Sequence, residues 1–218
     1  WTLPILLNKE SDSHMAVKRV FKKYGVPPEL ICDAARTQVW GETKHFCAQT
    51  GCDLKMLEKG TPSANRAEAA IKILKHGTKK DLDESNCPMI FWCYCIERRA
   101  AVNNHTAKDI FSLQGEVPET IMTGQPSDIS ALSEFKWYEW VKYKREDQSF
   151  PIGTYRLGRC LGPATNQGNK MSQFVLTEKG QVMPIQTIRK LTPSEMLNPS
   201  EVEKRKEFDA YIKQRYGD

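Results

Sequence analysis

The sequence predicts an α/β domain followed by a small all-β barrel and a C-terminal helix. Three observations predict it. Through the first hundred or so residues, short apolar runs alternate with amphipathic stretches, the rhythm of a sheet with short helical crossovers. After a passage rich in Thr, Gly, Pro and Ser, residues 136–193 turn to short alternating runs punctuated by turn residues. From Ser200 the helical spacing returns.

The elements follow in order. TLPILL, residues 2–7, reads as a strand. Ser11 to Tyr24 reads as a helix, because Val17, Val20, Phe21 and Tyr24 recur at i, i+3, i+4 and i+7. Gly25 terminates it and Pro27-Pro28 forbids continuation. Leu30-Ile31-Cys32 is the next strand and delivers Asp33. Glu42 to Thr50 suggests a short helix, and Cys52 to Leu57 a strand. A long helix starts near Ser63, a good N-cap after Pro62, with Ala67, Ala70, Ile71 and Leu74 as its core face. The next helix, from Pro88 to about Val102, is apolar nearly all round from Met89 to Ile96 and is expected to be buried.

From His105 to Leu132 the periodicity fails, which marks a connector expected to pack on the first domain. Lys136 to Tyr143, Tyr155 to Leu161, Ser172 to Thr177 and Val182 to Ile188 are short strands. Turns are expected at Gly162-Pro163, Asn166 to Gly168 and Lys179-Gly180. A Ser200/Glu203 capping box is expected to open the last helix, with Phe208, Tyr211 and Ile212 on one face. The expected segments are therefore 1–104, 105–135, 136–193 and 194–218.

Composition bounds the function classes. With 39% hydrophobic and 27% charged residues and a mean hydropathy of −0.57, the chain has enough apolar content for a core. No run approaches the eighteen or so apolar residues of a membrane span. The net charge is +5, concentrated in residues 136–193, where ten Lys/Arg face four Asp/Glu. A compact basic segment fits a polyanion partner, and equally a solvated surface. The seven cysteines are odd in number and form no CxxC, as expected of small hydrophobes in a reduced, intracellular protein. His45, Cys47 and Cys52 fit no standard zinc spacing. The opening Trp1-Thr-Leu-Pro, with no initiator Met and no signal pattern, is expected of a piece of a longer chain.

The chemistry-bearing pair is Asp33 and Glu68. A strand-end acid and a helix-borne acid can converge on one divalent cation, which is how Mg²⁺-dependent phosphoryl-transfer sites are built. Plainer readings fit as well: Asp33 as a turn or cap residue, and Glu68 as the partner of Lys72 one turn on. Glu68, Lys72, Lys75 and Lys79 share a helix face. That face suits either salt-bridge decoration or a helix laid along a phosphate backbone.

Several segments together carry a resemblance. They are GVPPELICDAARTQ around Asp33, Asn65-Arg-Ala-Glu68, the His105 to Ile129 connector, FKWYEWVKYK, LGRCLGP and IRKLTPSE. In this order the chain resembles the integrase of copia-type LTR retrotransposons. The resemblance implies a partial RNase H-like catalytic core followed by an SH3-like barrel. Asp33 and Glu68 match the last two acids of the family's Asp, Asp, Glu triad. TLPILL then corresponds to the third strand, so the strand bearing the first acid and the His/Cys zinc domain are expected upstream of Trp1. Ala34-Ala35 departs from the Asn-Gly-like turn that often follows this acid.

The resemblance also implies two Mg²⁺ ions (or Mn²⁺), with Asp33 bridging and Glu68 on the second. It implies DNA contacts by Asn65, Arg66, Lys72, Lys75 and Lys79. The implied reactions are 3′-end processing and strand transfer, for which this piece alone is expected to be inactive. The implied partners are element-end and target DNA and further copies of the chain, with no membrane. The implied locations are the nucleus for function and a virus-like particle in the cytoplasm. Two rival readings are a non-catalytic DNA-binding module derived from such an element and another RNase H-like nuclease.

Overall fold

A computed structural model describes residues 1–32, 41–57, 66–109, 113–144, 154–165, 167 and 171–217. The chain divides into two units, Pro4–Ile73 and a larger one of Trp1–Leu3 with Leu74–Asp218, so the division falls inside one long helix. The described residues form a mixed α/β architecture with a two-stranded parallel and a five-stranded antiparallel sheet.

In the smaller unit, α1 (Ser13–Tyr24) ends where Gly25 takes a φ of +92° and donates its N–H to the Phe21 carbonyl at 2.9 Å. Strand β1 (Glu29–Cys32) pairs in parallel with β2 (Asp53–Met56), in register from Glu29 opposite Asp53 to Cys32 opposite Met56. Between them runs α2 (Glu42–Thr50), closed by Gly51 in the left-handed region. Parallel strands need such a crossover. Phe21, Cys47 and Cys52 form the buried core, joined by Val17, Leu30, Phe46 and Leu54.

TLPILL does not form a strand. A strand needs a ladder partner, and none of the described strands pairs with this run, whose Leu3, Leu6 and Leu7 are exposed. The long helix α3 (Arg66–Ser85) buries Leu74, Thr78 and Leu82. Ala67 and Ile71, expected on its core face, are exposed, because the buried stripe begins a turn later and runs at i, i+4 and i+8.

In the larger unit a 3₁₀ turn at Met89–Phe91 leads into α4 (Trp92–Asn104). The expected all-round burial is corrected here. Phe91, Cys95 and Ala100 are buried, but Met89, Ile90 and Trp92 are about half exposed. The helix covers β4 (Arg156–Pro163) with one stripe only. Two short helices, α5 (Pro118–Thr123) and α6 (Ser130–Ser133), interrupt the connector. The N-terminal residues tie onto this region. Trp1 Nε1 donates to Glu119 at 2.5 Å, and Thr2 and Asn104 exchange two hydrogen bonds of 2.8 and 2.7 Å.

The antiparallel sheet adds β3 (Trp140–Tyr143), β5 (Gln173–Thr177), β6 (Val182–Ile185) and β7 (Ile188–Lys190). Its order is β6-β5-β4-β3-β7, so the last strand returns beside the first. Alternation sends side chains to two cores. Val141, Tyr143, Cys160, Val175 and Ile185 gather with Phe135 on one side. On the other, Leu157, Leu161 and Leu176 meet Leu82, Cys87, Phe91 and Cys95, and Phe208 and Ile212 of the last helix.

The tail consists of α7 (Pro193–Leu197) and α8 (Pro199–Tyr216). The expected capping box at Ser200/Glu203 is corrected: the box is Thr192 with Glu195, at the start of α7. Asn198 caps α8, and Ser200 lies inside it with its N–H bonded to Asn198 Oδ1 at 3.0 Å. Phe208 and Ile212 are buried, whereas Tyr211 is exposed. Among the described residues no helix is long and apolar enough to cross a membrane.

Candidate functional site

Strand β1 ends at Cys32, one residue before Asp33, which lies outside the described residues together with Asn65. Glu68 is exposed in the first turn of α3, where a carboxylate also complements the positive end of the helix dipole. Arg66, Lys72, Lys75 and Lys79 are exposed on the same helix. Among the described residues no group of three or more His, Cys, Asp and Glu side chains is placed to hold a metal ion. Glu68 supplies a hard oxygen donor, the type that Mg²⁺ and Mn²⁺ take. His45 is engaged by Gln49 at 2.9 Å, while Cys47 and Cys52 belong to the apolar core.

Burial disfavours the thiolate form of Cys87, Cys93, Cys95 and Cys160 in the larger unit. Burial pushes the thiol of Cys95 up to about 12 and that of Cys160 up to about 11, and raises Cys87 as well.

The basic segment is organised differently from what its charge count suggested. On one face of the antiparallel sheet, Lys142 stands directly opposite Arg189, and Trp140 directly opposite Arg159. The tail answers these cations with acids. Glu195 receives Arg189 through two bonds of 2.7 and 2.8 Å, and Lys142 at 3.0 Å. Glu201 takes Lys142 at 3.1 Å. Asp209 takes the Arg159 guanidinium through both its oxygens, at 2.8 and 2.9 Å. That guanidinium also lies 3.5 Å from the Trp140 ring centroid and donates to the Tyr138 carbonyl at 3.0 Å.

The electrostatics follow from the geometry. The Arg189 side chain, with the Thr192 N–H and Lys142, holds the Glu195 carboxyl well below the usual carboxylate range. Lys204 and Lys142 lower Glu201 against the opposing effect of burial. Burial would lower Lys142, but its bonds to Glu195 and Glu201 outweigh that and raise it.

Sequence reasoning missed these three acids. Their one signal is position: Glu195, Glu201 and Asp209 follow directly on the basic segment.

No protein-family model matches the chain, and no curated protein matches it. Among solved structures, a chain in the cryo-EM structure of the simian T-cell lymphotropic virus intasome in complex with PP2A regulatory subunit B56 gamma is similar. Sequence identity to it is 13%, the match covers 86% of this chain and 66% of that one, and the TM-score is 0.44. This chain thus spans just under two thirds of that chain's length, and the likeness is distant.

Proposed function

We propose that the chain is part of an integrase of the copia-type retrotransposon kind, which binds DNA and holds two of the three carboxylates of a strand-transfer site. One observation carries the reading. Asp33 follows directly on the end of a strand in a parallel pair, and the same unit contains Glu68, exposed in the first turn of a helix. Acids after the carboxyl ends of parallel strands sit where α/β sheets place their ligands. The quoted motifs support the reading, as does the return of β7 beside β3, the strand order of an SH3-like barrel.

In this reading residues 1–104 are the later part of an RNase H-like core, and both acids fall within the Pro4–Ile73 unit. Asp33 and Glu68 are the ligands for divalent metal, Mg²⁺ or Mn²⁺. The bound metal supplies the charge neutralisation that an in-line phosphoryl transfer needs. Arg66 and Asn65 flank the reacting phosphate, and Lys72, Lys75 and Lys79 track the backbone beyond it. The partners are element-end and target DNA and further copies of the chain, and the work takes place in the nucleus after passage through a particle.

Mn²⁺ binding followed by electron paramagnetic resonance tests the metal site. Wild type is expected to bind the ion, and Asp33→Asn and Glu68→Gln to lose it. Duplex binding with no Mn²⁺ binding by wild type would favour the non-catalytic module. Plain cleavage without strand transfer, by the chain rejoined to its upstream sequence, would favour another RNase H-like nuclease.

A further inference from the structure

The sheet face under the tail carries two cations on adjacent strands. Lys142 and Arg189 oppose each other across β3 and β7. Like charges so placed repel unless an anion lies between them. Here Glu195 is that anion, accepting from both. Arg159, two residues along the same face, is capped in the same way by Asp209. Each of these three cations therefore meets a carboxylate of the tail.

The pairing is an expensive way to dock a helix. Lys142 and Glu201 have side chains only 14% and 13% exposed, so both lose most of their hydration. Apolar residues of similar volume hold such an interface at least as well. What charged groups add is exchangeability: a phosphate oxygen meets the Arg189 fork and the Lys142 ammonium as a carboxylate does. Docking is also incomplete. A cleft of about 360 Å³ opens between the sheet and α8, lined by the cations Lys142, Arg156 and Lys204 and the acids Glu178, Glu201 and Glu207, so solvent reaches the edge of the ion-pair network.

We propose that Lys142, Arg159 and Arg189 form a phosphate-backbone binding surface that α7 and α8 occupy with Glu195, Glu201 and Asp209, and that nucleic acid and tail compete for it. The inference rests on the DNA-binding reading above and adds where the backbone binds and what regulates it. The tail lowers affinity for any duplex, because each phosphate must displace a carboxylate already in place.

The test uses the whole chain and a fluorescently labelled 20-base-pair duplex. Anisotropy titrations over a range of salt compare wild type with the double variant Glu195→Gln/Glu201→Gln. The variant is expected to bind about tenfold more tightly, with a salt slope steeper by about one to two units, since each added phosphate contact contributes about 0.9. A charge-matched control, Glu84→Gln/Glu203→Gln, changes two exposed acids that pair with Lys80 and Lys206 rather than with this surface and is expected to leave the slope unchanged. In wild type, amide exchange across residues 200–216 is expected to quicken when duplex is added; this readout does not depend on how the variants fold. Duplex binding with unaltered exchange in α8 overturns the inference and leaves the DNA-binding reading standing, as does a control that tightens binding as much as the test variant. Failure of every form to bind duplex overturns both.

Discussion

The antiparallel sheet of the larger unit and the parallel pair of the smaller one solve the same problem to different extents. Val141, Cys160, Val175 and Leu176 are wholly buried, on strands packed on one side against Phe91, Cys95, Phe208 and Ile212 and on the other against Phe135 and Met183. On the parallel pair, Ile31 and Met56 stand about half exposed. Parallel strands are ordinarily buried on both faces, and two strands alone cannot close over a core. Stability is thus concentrated in the unit with the tail, while the proposed metal ligands Asp33 and Glu68 belong to the less covered one. Sites that must admit a ligand are drawn from such regions.

The largest expected effect tests that contrast. Leu176→Ala removes a wholly buried side chain from the junction of sheet, α4 and α8 and is expected to cost about 3 kcal/mol. Leu30→Ala, at a half-buried position of β1, is expected to cost about 1 kcal/mol. Urea unfolding followed by amide exchange in each unit measures both. Equal costs would show that the smaller unit is as firmly packed as the larger.

The same contrast explains what could be read in the sequence. Helix α2 was legible because Gly51, just past its last residue, is the usual stop. The strands of the antiparallel sheet were legible because buried Val141 and Tyr143 alternate with half-buried Trp140 and Lys142, the period of a strand. TLPILL failed because an apolar run makes a strand only beside a partner, and pairing is a property of the fold. Met89, Ile90 and Trp92 failed because apolarity all round a helix predicts cover on all sides, whereas only one side of α4 faces the sheet. Within the candidate site, the exposed row of Lys72, Lys75 and Lys79 was readable as one helix face. The fate of the basic segment was not, since Arg159 meets Asp209 from fifty residues away and no local pattern encodes that.

An intermediate effect probes the tail's grip on the sheet. Asp209→Ala leaves the Arg159 guanidinium, whose side chain is 13% exposed, without its carboxylate. Removing one partner of a hydrogen-bonded charge is expected to cost about 2 kcal/mol here, read as a lower urea midpoint with unchanged slope. Replacing Arg159 with Met at the same time is expected to recover part of that loss, because the apolar side chain still covers Trp140.

Acid acts on the same contact from another side. The folded Glu195 and Glu201 carboxyls lie below the ordinary glutamate value of 4.5, so the unfolded chain binds protons first as pH falls. Their contribution is complete above that value and is lost as pH drops through the folded ones. The tail is therefore expected to loosen below about pH 4.5. Tryptophan fluorescence from Trp140, which packs edge-on against Phe208 at 5.2 Å, reports the change. Glu195→Gln should flatten that pH response.

The smallest expected effect separates the two candidate caps of the tail. If Thr192 and Glu195 form the working box, Thr192→Ala removes an acceptor for the Glu195 N–H and should cost about 1 kcal/mol. Ser200→Ala touches a residue already inside α8, whose N–H remains bonded to Asn198, and should cost a few tenths at most. The difference also bears on the charge network. The Glu195 carboxylate that receives Arg189 also accepts the Thr192 N–H at 2.8 Å, so the box fixes the acid in place for the sheet. Loss of the Thr192 hydroxyl should for that reason weaken the Glu195 ion pairs as well as the cap. A Thr192→Ala penalty that shrinks in high salt would show the two to be coupled, and one indifferent to salt would show that the cap acts on α7 alone.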